Sequence, residues 1–386
     1  MRKTPLRVVI VGAGPAGLYL GYLLKRARAD FHVEIVEQNP PDATFGFGLA
    51  FSERALEFLK REDSETWAAM QSSLEFWSDS ILYLNGEEIR IDGMGYAGIG
   101  RLRLLEILQA RARSAGIEPL YRRGIASVDE LGEADVIVGA DGANSVLRKS
   151  KETDFGTSIE FCTNRFAWYG TSKRFDALSH TFIRTPDGVF NAHHHRHAPG
   201  MSTFVVETDE STFLRCGLDA MDSDAARAFC ERIFADALAG ASLISNKSIW
   251  RQFPKVWNER WSVGHRVLLG DALHTAHFSI GSGTRLAMED AIALARALES
   301  HAADVPAALA AYEAARKPAV QKLIAAANAS AEWYEHFADH MGLAPLDFAM
   351  SYITRSGRVD LERLRRTSPE FVTAYEAHAC TETLSR

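Results

Sequence analysis

Cysteine is scarce in this chain. Cys162, Cys216, Cys230 and Cys380 are scattered through 386 residues, with no CxxC pair and no metal-type spacing. That excludes a disulfide-stapled fold and a dithiol redox centre, and it reads as reduced thiols in a cytoplasmic protein. A basic excess is absent as well. Lys+Arg 43 against Asp+Glu 50 leaves −7, which argues against a dedicated nucleic-acid binder but not against a local basic patch for a phosphorylated ligand. No apolar run approaches the roughly 18 residues of a membrane span. Arg2, Lys3 and Arg7 before an apolar run imitate a secretion signal, but glycine and proline interrupt the run. Hydrophobic content of 47 % and charged content of 24 % are those of a folded soluble chain.

What is present starts with a βαβ pattern. Residues 7–12 read as a buried parallel strand, 15–28 as a helix with Leu18, Leu20, Leu23 and Leu24 on its apolar side, and 32–37 as a second strand. A turn-rich loop covers 40–50, and helices are expected from there through Trp77. Helices are also expected over 104–115 and 286–298, and buried strands over 134–141 and 266–270. Between 166 and 208 the period changes towards two, with turn signals such as Pro186-Asp187-Gly188, which predicts an antiparallel sheet. From Pro306 onward the chain reads as helical. The α/β segments 1–75, 101–160 and 262–335 form one discontinuous unit on this reading. The sheet unit takes 76–100 and 161–261, and 336–386 is a helical segment. The fold class is α/β with an inserted, mostly antiparallel sheet.

Three signals point to a bound nucleotide. Gly12-Ala-Gly14-Pro15-Ala16-Gly17 follows a strand and opens a helix, which is where such a turn can bring backbone N–H groups to a pyrophosphate. Glu37, with Gln38 after it, ends the second strand and is placed to accept a ribose hydroxyl. This first signal does not separate FAD from NAD. The second is Gly139-Ala-Asp141-Gly142 after a buried strand. The third is Gly270-Asp271-Ala272, followed by Gly281-Ser-Gly283-Thr284-Arg285 at a helix start.

In this order and spacing the three resemble the class A flavoprotein aromatic hydroxylases, the p-hydroxybenzoate hydroxylase fold family. Arg101 with Leu104 matches the family's Arg-x-x-Leu, and Tyr312-Glu-x-x-Arg316-Lys-Pro318 its late helix pair. The usual Pro-Pro before the flavin glycines is replaced by Ala276-His277-Phe278-Ser279-Ile280, and the usual Asn after them by Arg285. Phe45-Gly-Phe47-Gly48, Trp168-Tyr169-Gly170-Thr171, Met201 to Glu207 and Phe348 to Arg358 are similar to a narrower branch. That branch holds salicylyl-CoA 5-hydroxylases, the monooxygenase part of 2-aminobenzoyl-CoA monooxygenase/reductase and the violacein-pathway tryptophan hydroxylase.

The resemblance implies a glutathione-reductase-type FAD domain and tight, non-covalent FAD, held by Gly12, Gly14, Pro15, Ala16, Gly17, Glu37, Gln38, Arg101, Asp271, Gly281, Gly283, Thr284 and Arg285. NADH or NADPH serves as transient reductant, and O2 is the co-substrate, delivered to the ring through a C4a-hydroperoxyflavin. The implied reaction is 5-hydroxylation of an aryl-CoA thioester, salicylyl-CoA to gentisyl-CoA. Such a site needs an acceptor or base beside the phenol, because phenolate character raises ring nucleophilicity. His277, Tyr169 and His193 are the candidates. Phe47, Trp168 and Phe278 are expected at the ring, and Arg184 and Arg196 at CoA phosphates. His193-His194-His195-Arg196-His197 lacks acidic or cysteine company, so no metal is expected; a solvated or ligand-facing strand is. Two further readings stay open: a hydroxylase of a free indole or amino-aromatic, and a non-catalytic FAD-binding protein.

Overall fold

A computed structural model describes residues 5–384, so Arg2 and Lys3 lie outside the described residues. Along the chain run β1 (Arg7–Val11), α1 (Pro15–Ala27), β2 (His32–Val36), β3 (Gly48–Ser52), β4 (Ser80–Leu84), β5 (Glu87–Ile91), β6 (Tyr96–Gly100) and α2 (Arg101–Ser114). Next come β7 (Val136–Gly139), β8 (Arg165–Thr171), β9 (Leu178–Thr185), β10 (Gly188–Ala198), β11 (Met201–Thr208), α3 (Ser223–Ile233), β12 (Leu243–Ser245) and β13 (Arg266–Leu268). The helices α4 (Gly283–Ser300), α5 (Val305–Glu335), α6 (Pro345–Thr354) and α7 (Pro369–Leu384) follow. Shorter turns of helix and strand lie between these.

Strands β13, β7, β1 and β2 pair in that order, all parallel. They are apolar on both faces because helices cover both. Val8, Val9, Ile10, Ile137, Val138, Val267 and Leu268 join Leu18, Leu20, Leu24, Leu286, Leu294 and Leu298 of α1 and α4 in one core. The second sheet has the order β12-β8-β11-β10-β9-β4-β5, antiparallel except where β9 meets β4. Its alternating strands give it two differently dressed faces. One face carries Tyr169, Phe190, Phe204 and Val206 and is closed by α3 and its neighbours. The other carries Leu82, Leu84, Ile89, Ile91 and Phe182 and receives Trp333, Phe337, Phe348, Tyr352 and Phe371 from α5, α6, α7 and the turn after α5.

The helices expected through Trp77 stop at Gln71. Glu75–Trp77 is extended and pairs with β6. Helix α2 begins at Arg101, three residues before the apolar pattern shows it, since Gly100 is its N-cap. All four cysteines are free thiols. Among the described residues, no helix is long and apolar enough to cross a membrane.

Candidate active site

The turn after β1 is shaped by three glycines with three different constraints. Gly12 has φ +106, and a Cβ there would overlap Ala140 O. A Cβ on Gly17 would overlap Gly12 O, so the missing side chain lets α1 press onto the turn. Gly14, the N-cap of α1, has φ −73, and nothing lies within 4 Å of its missing Cβ. The turn is therefore closed on two sides and open at Gly14, where the free N–H groups of α1 begin. Pro15 occupies the first helical position and Ala16 is buried. Glu37 anchors the turn by accepting from Ala13 N at 2.9 Å and from Asn39 N and Nδ2 at 2.8 Å. A carboxylate has about four acceptor positions, so capacity for a hydroxyl remains. Gln38 is exposed beside it.

Asp141 does not face outward. One oxygen accepts from Val146 N at 2.7 Å, capping a short helix. That helix carries Arg148, fully buried, which donates to Ala272 O at 2.9 Å and to Ala143 O. This buried guanidinium staples the Asp141-Gly142 turn to the Gly270-Asp271 turn. Asp271 itself is exposed past the end of β13 and approaches Gly283, the first residue of α4. Gly281 has φ +59, and a Cβ there would lie 2.6 Å from Ala50 O of β3. Thr284 is half-buried. Arg285 is paired along α4 with Glu289 at 2.8 Å, and Glu289 also meets Arg316 at 3.1 Å. Arg101 forms no ion pair among the described residues; its guanidinium lies 5.7 Å from the Trp168 ring, and its backbone N–H donates to Phe47 O. An open helix N-terminus, an unpaired arginine and an exposed strand-end acid are a donor and acceptor set that fits a dinucleotide's phosphates and polyol.

Across the sheet, register decides what meets this set. Trp168 pairs with Val205, Val205 with His193, and His193 with His180. These side chains form one row over four strands. Phe278 lies against that row, its ring 5.8 Å from Trp168, 5.5 Å from His193 and 4.8 Å from Phe166. Phe47 packs on Gly170, the next residue of β8 on the same face. His277 is buried, with its ring 4.8 Å from Phe253 and 4.2 Å from Phe278. Burial pushes the imidazolium form of His277 down to about 3 and that of His193 to about 4. Both are neutral at physiological pH, and neither is a strong base.

Two expectations are corrected here. Tyr169 follows Trp168 on a strand, so it points to the opposite face, where it is fully buried beside Cys230 and Phe204. Arg196 does not face a ligand. Its guanidinium pairs with Glu75 at 2.7 Å and donates to Phe175 O and Phe76 O. Arg184, by contrast, is exposed and donates to Ala338 O, four residues beyond His180 on β9, or about 13 Å along a strand, where the outer end of a long ligand could reach it. Of the two surroundings expected for the histidine run, solvent is excluded: His193, His194, His195 and His197 are all buried, and His195 has no partner for either ring nitrogen.

Glu207 was missed, although it closes the apolar run Phe204-Val-Val of β11. It is fully buried next to Asn191 in register and accepts from Asn164 Nδ2 at 2.9 Å, while its other oxygen has no partner. Burial raises its pKa from 4.5 to about 8. The folded state thus holds a proton that the unfolded state releases above pH 4.5. Stability contributed here is full below that pH and is lost as pH rises through about 8. Glu207→Gln should therefore raise Tm at pH 8 by several degrees and change it little at pH 4.5. An equal shift at both pH values would overturn this.

Comparison with known proteins meets the geometry from outside. A family model described as "FAD binding domain" matches residues 106–327, and a "Lycopene cyclase protein" model matches 7–150. The salicyloyl-CoA 5-hydroxylase of a Streptomyces species is 40 % identical over 91 % of this chain and 70 % of its own length. A 3-hydroxy-4-methyl-anthranilyl-[aryl-carrier protein] 5-monooxygenase of Streptosporangium sibiricum is 32 % identical, covering 92 % and 95 %. The protodeoxyviolaceinate monooxygenase of Chromobacterium violaceum is 31 % identical, covering 91 % and 94 %. Among solved structures, 2-methyl-3-hydroxypyridine-5-carboxylic acid oxygenase superposes with a TM-score of 0.72 at 17 % identity, over 92 % of this chain and 96 % of its own. This chain belongs to the FAD-binding-domain family and is a flavin-dependent aromatic monooxygenase.

Proposed function

We propose that this enzyme hydroxylates an aryl-CoA thioester, with salicylyl-CoA to gentisyl-CoA as the reaction. The observation that carries this reading is the 40 % identity to a salicyloyl-CoA 5-hydroxylase over 91 % of the chain. FAD, when bound and reduced by NAD(P)H, would activate O2, one atom of which adds to the ring while the other leaves as water. Everything else falls to the chain's own residues. Gly14 and the first turn of α1 would take the pyrophosphate, Arg101 a phosphate oxygen, and Asp271 a polyol hydroxyl. Gly281 and Gly283 would let the loop before α4 approach the isoalloxazine.

The ring of the substrate would lie among Trp168, His193 and Phe278, with Phe47 at its edge. These side chains exclude water and hold the ring flat by stacking, which places one carbon for attack. A free salicylate can lose its carboxylate when attacked at the ring carbon that bears it, but a thioester cannot leave that way. Para attack at C5 is then the productive course. The 32 % identity to an enzyme of aryl-carrier-protein substrates supports a second reading, a thioester presented by a carrier protein.

The test is NADH and NADPH oxidation by FAD-loaded enzyme with salicylyl-CoA, salicylate and salicylyl-carrier protein side by side. Stimulation by salicylyl-CoA with a hydroxylated CoA product is expected. Stimulation by free salicylate alone would reject the thioester reading.

A further inference from the structure

Phe348 and Tyr352 anchor the C-terminal run Phe348 to Arg358 on the sheet. Within it, Arg355 follows α6 and reaches the loop that bears His277. Its Nε donates to Ser330 Oγ at 3.0 Å, its Nη2 to Ser279 O at 3.0 Å and its Nη1 to Tyr352 O at 2.6 Å. Its guanidinium sits 3.9 Å from the Tyr352 ring centroid. Among the described residues it forms no ion pair, and its hydrogen bonds go to one hydroxyl and two carbonyl oxygens. Arg355 is a half-buried cation held by three oxygens and by the faces of the Tyr352 and Tyr334 rings.

An arginine can only donate, so Ser330 Oγ accepts from it and keeps its own proton for a further acceptor. Ser330 Oγ receives the Arg355 N–H and lies 2.8 Å from Ser279 Oγ. Ser330 is fully buried, and Ser279 is the acceptor its own proton reaches. Ser279 Oγ then turns its proton to His277 Nδ1, 2.8 Å away. The backbone N–H of Ser279 is aimed at the same nitrogen at 3.4 Å. The reverse sense would leave the Ser330 proton with no acceptor and set a protonated Nδ1 against the Ser279 N–H. Nδ1 is therefore an acceptor. His277 is neutral, since burial holds its pKa at about 3, so its one ring proton is on Nε2. Nε2 bonds to no described residue and is not among the sealed unpartnered atoms.

We propose that Arg355 is a positioning residue that acts through Ser330 and Ser279 to lock His277 in its Nε2–H form. His277 is then a hydrogen-bond donor to an acceptor oxygen on the substrate ring, a phenolate above all, and not a base. The lock is independent of the substrate; the identity of the acceptor rests on the function proposed above. The donor stabilises negative charge on that oxygen, and the nearby guanidinium adds to this without touching it. Ring proton, lone pairs and charge all balance with no change of oxidation state in the protein.

The experiment reads the tautomer directly. FAD-loaded enzyme labelled with 15N-histidine is measured by long-range 1H–15N correlation, with His277 identified by its loss in His277→Gln. A pyridine-like Nδ1 and a pyrrole-like Nε2 are expected in the wild type. Ser330→Ala and Arg355→Lys should move both nitrogens towards averaged values. A pyrrole-like Nδ1 in the wild type, or unmoved shifts in both variants, would overturn the proposal.

The second arm is kinetic, with salicylyl-CoA as probe. His277→Gln, whose amide N–H can stand near the Nε2 position, should keep more hydroxylation than His277→Asn, which should lose about 100-fold in product formation. The reverse order would overturn the donor role. Failure of salicylyl-CoA to stimulate the wild type, with the tautomer as expected, would uphold the lock and reject the substrate reading.

Discussion

Gly14→Ala should yield folded enzyme that has lost most of its FAD, whereas Gly12→Ala should lose stability first and flavin as a consequence. The two residues are two apart on one turn, and they differ in what surrounds them. At Gly14 the backbone is extended, with φ −73, and nothing in the chain lies within 4 Å of an added Cβ. Alanine is conformationally acceptable there, and the methyl group projects only into the space that faces the helix N-terminus. If the pyrophosphate occupies that space, the methyl group displaces it and affinity falls by 100-fold or more, or about 3 kcal/mol. At Gly12, φ is +106 and the added Cβ would overlap Ala140 O, with Asp141 N 2.9 Å away. Both the backbone conformation and the packing oppose alanine, and a loss of about 3 kcal/mol or more is expected. The measurements are flavin absorbance per protein and Tm of both apo-variants. Full FAD occupancy in Gly14→Ala would remove the pyrophosphate from this turn.

Arg196→Met should cost about 3 kcal/mol of stability and leave the KM for an aryl-CoA within about twofold. Its guanidinium makes a 2.7 Å ion pair with Glu75 and hydrogen bonds to Phe175 O and Phe76 O, and lies 5.6 Å from the Trp77 ring. It therefore ties β10 to the short strand Glu75–Trp77 and to the end of the segment after β8. Methionine replaces the volume but strands the Glu75 carboxylate and two carbonyls in a poorly solvated place. Urea denaturation with matched kinetics checks it. Unchanged stability with a KM raised tenfold would return Arg196 to the phosphate-binding role that its sequence context suggests.

The contrast between Arg196 and Arg355 shows where sequence reading stops. Both are arginines in polar-aromatic runs, and neither run states a partner. Arg196 meets an acid 121 positions earlier in the chain, and Arg355 meets serines 25 and 76 positions back. Tyr169 illustrates a different limit. Its strand was legible, but which of the two faces meets the loop that carries Phe278 is a property of the assembled sheet. One step along β8 separates Trp168, which meets Phe278, from Tyr169 in a closed core. The histidine run was legible as a period-two strand facing solvent or a ligand, and burial removes the first of these. Nothing local indicates that helices from 150 residues later cover His180 and its neighbours.

The sequence by itself determined the βαβ turn with its three glycines, the Asp-Gly and Gly-Asp turns, the change to period two at 166–208 and hence the family. Those features depend on backbone geometry and burial periodicity, which act over a few residues and leave a local trace. The tertiary structure alone decided the row Trp168–Val205–His193–His180, the Arg148 staple, the buried Glu207 and the chain from Arg355 to His277. These depend on strand register and on helix docking between distant segments. The energy of a hydrogen bond or a stacked ring is spent on whatever side chain arrives within about 3 to 6 Å, and the order of residues along the chain does not record which one that is.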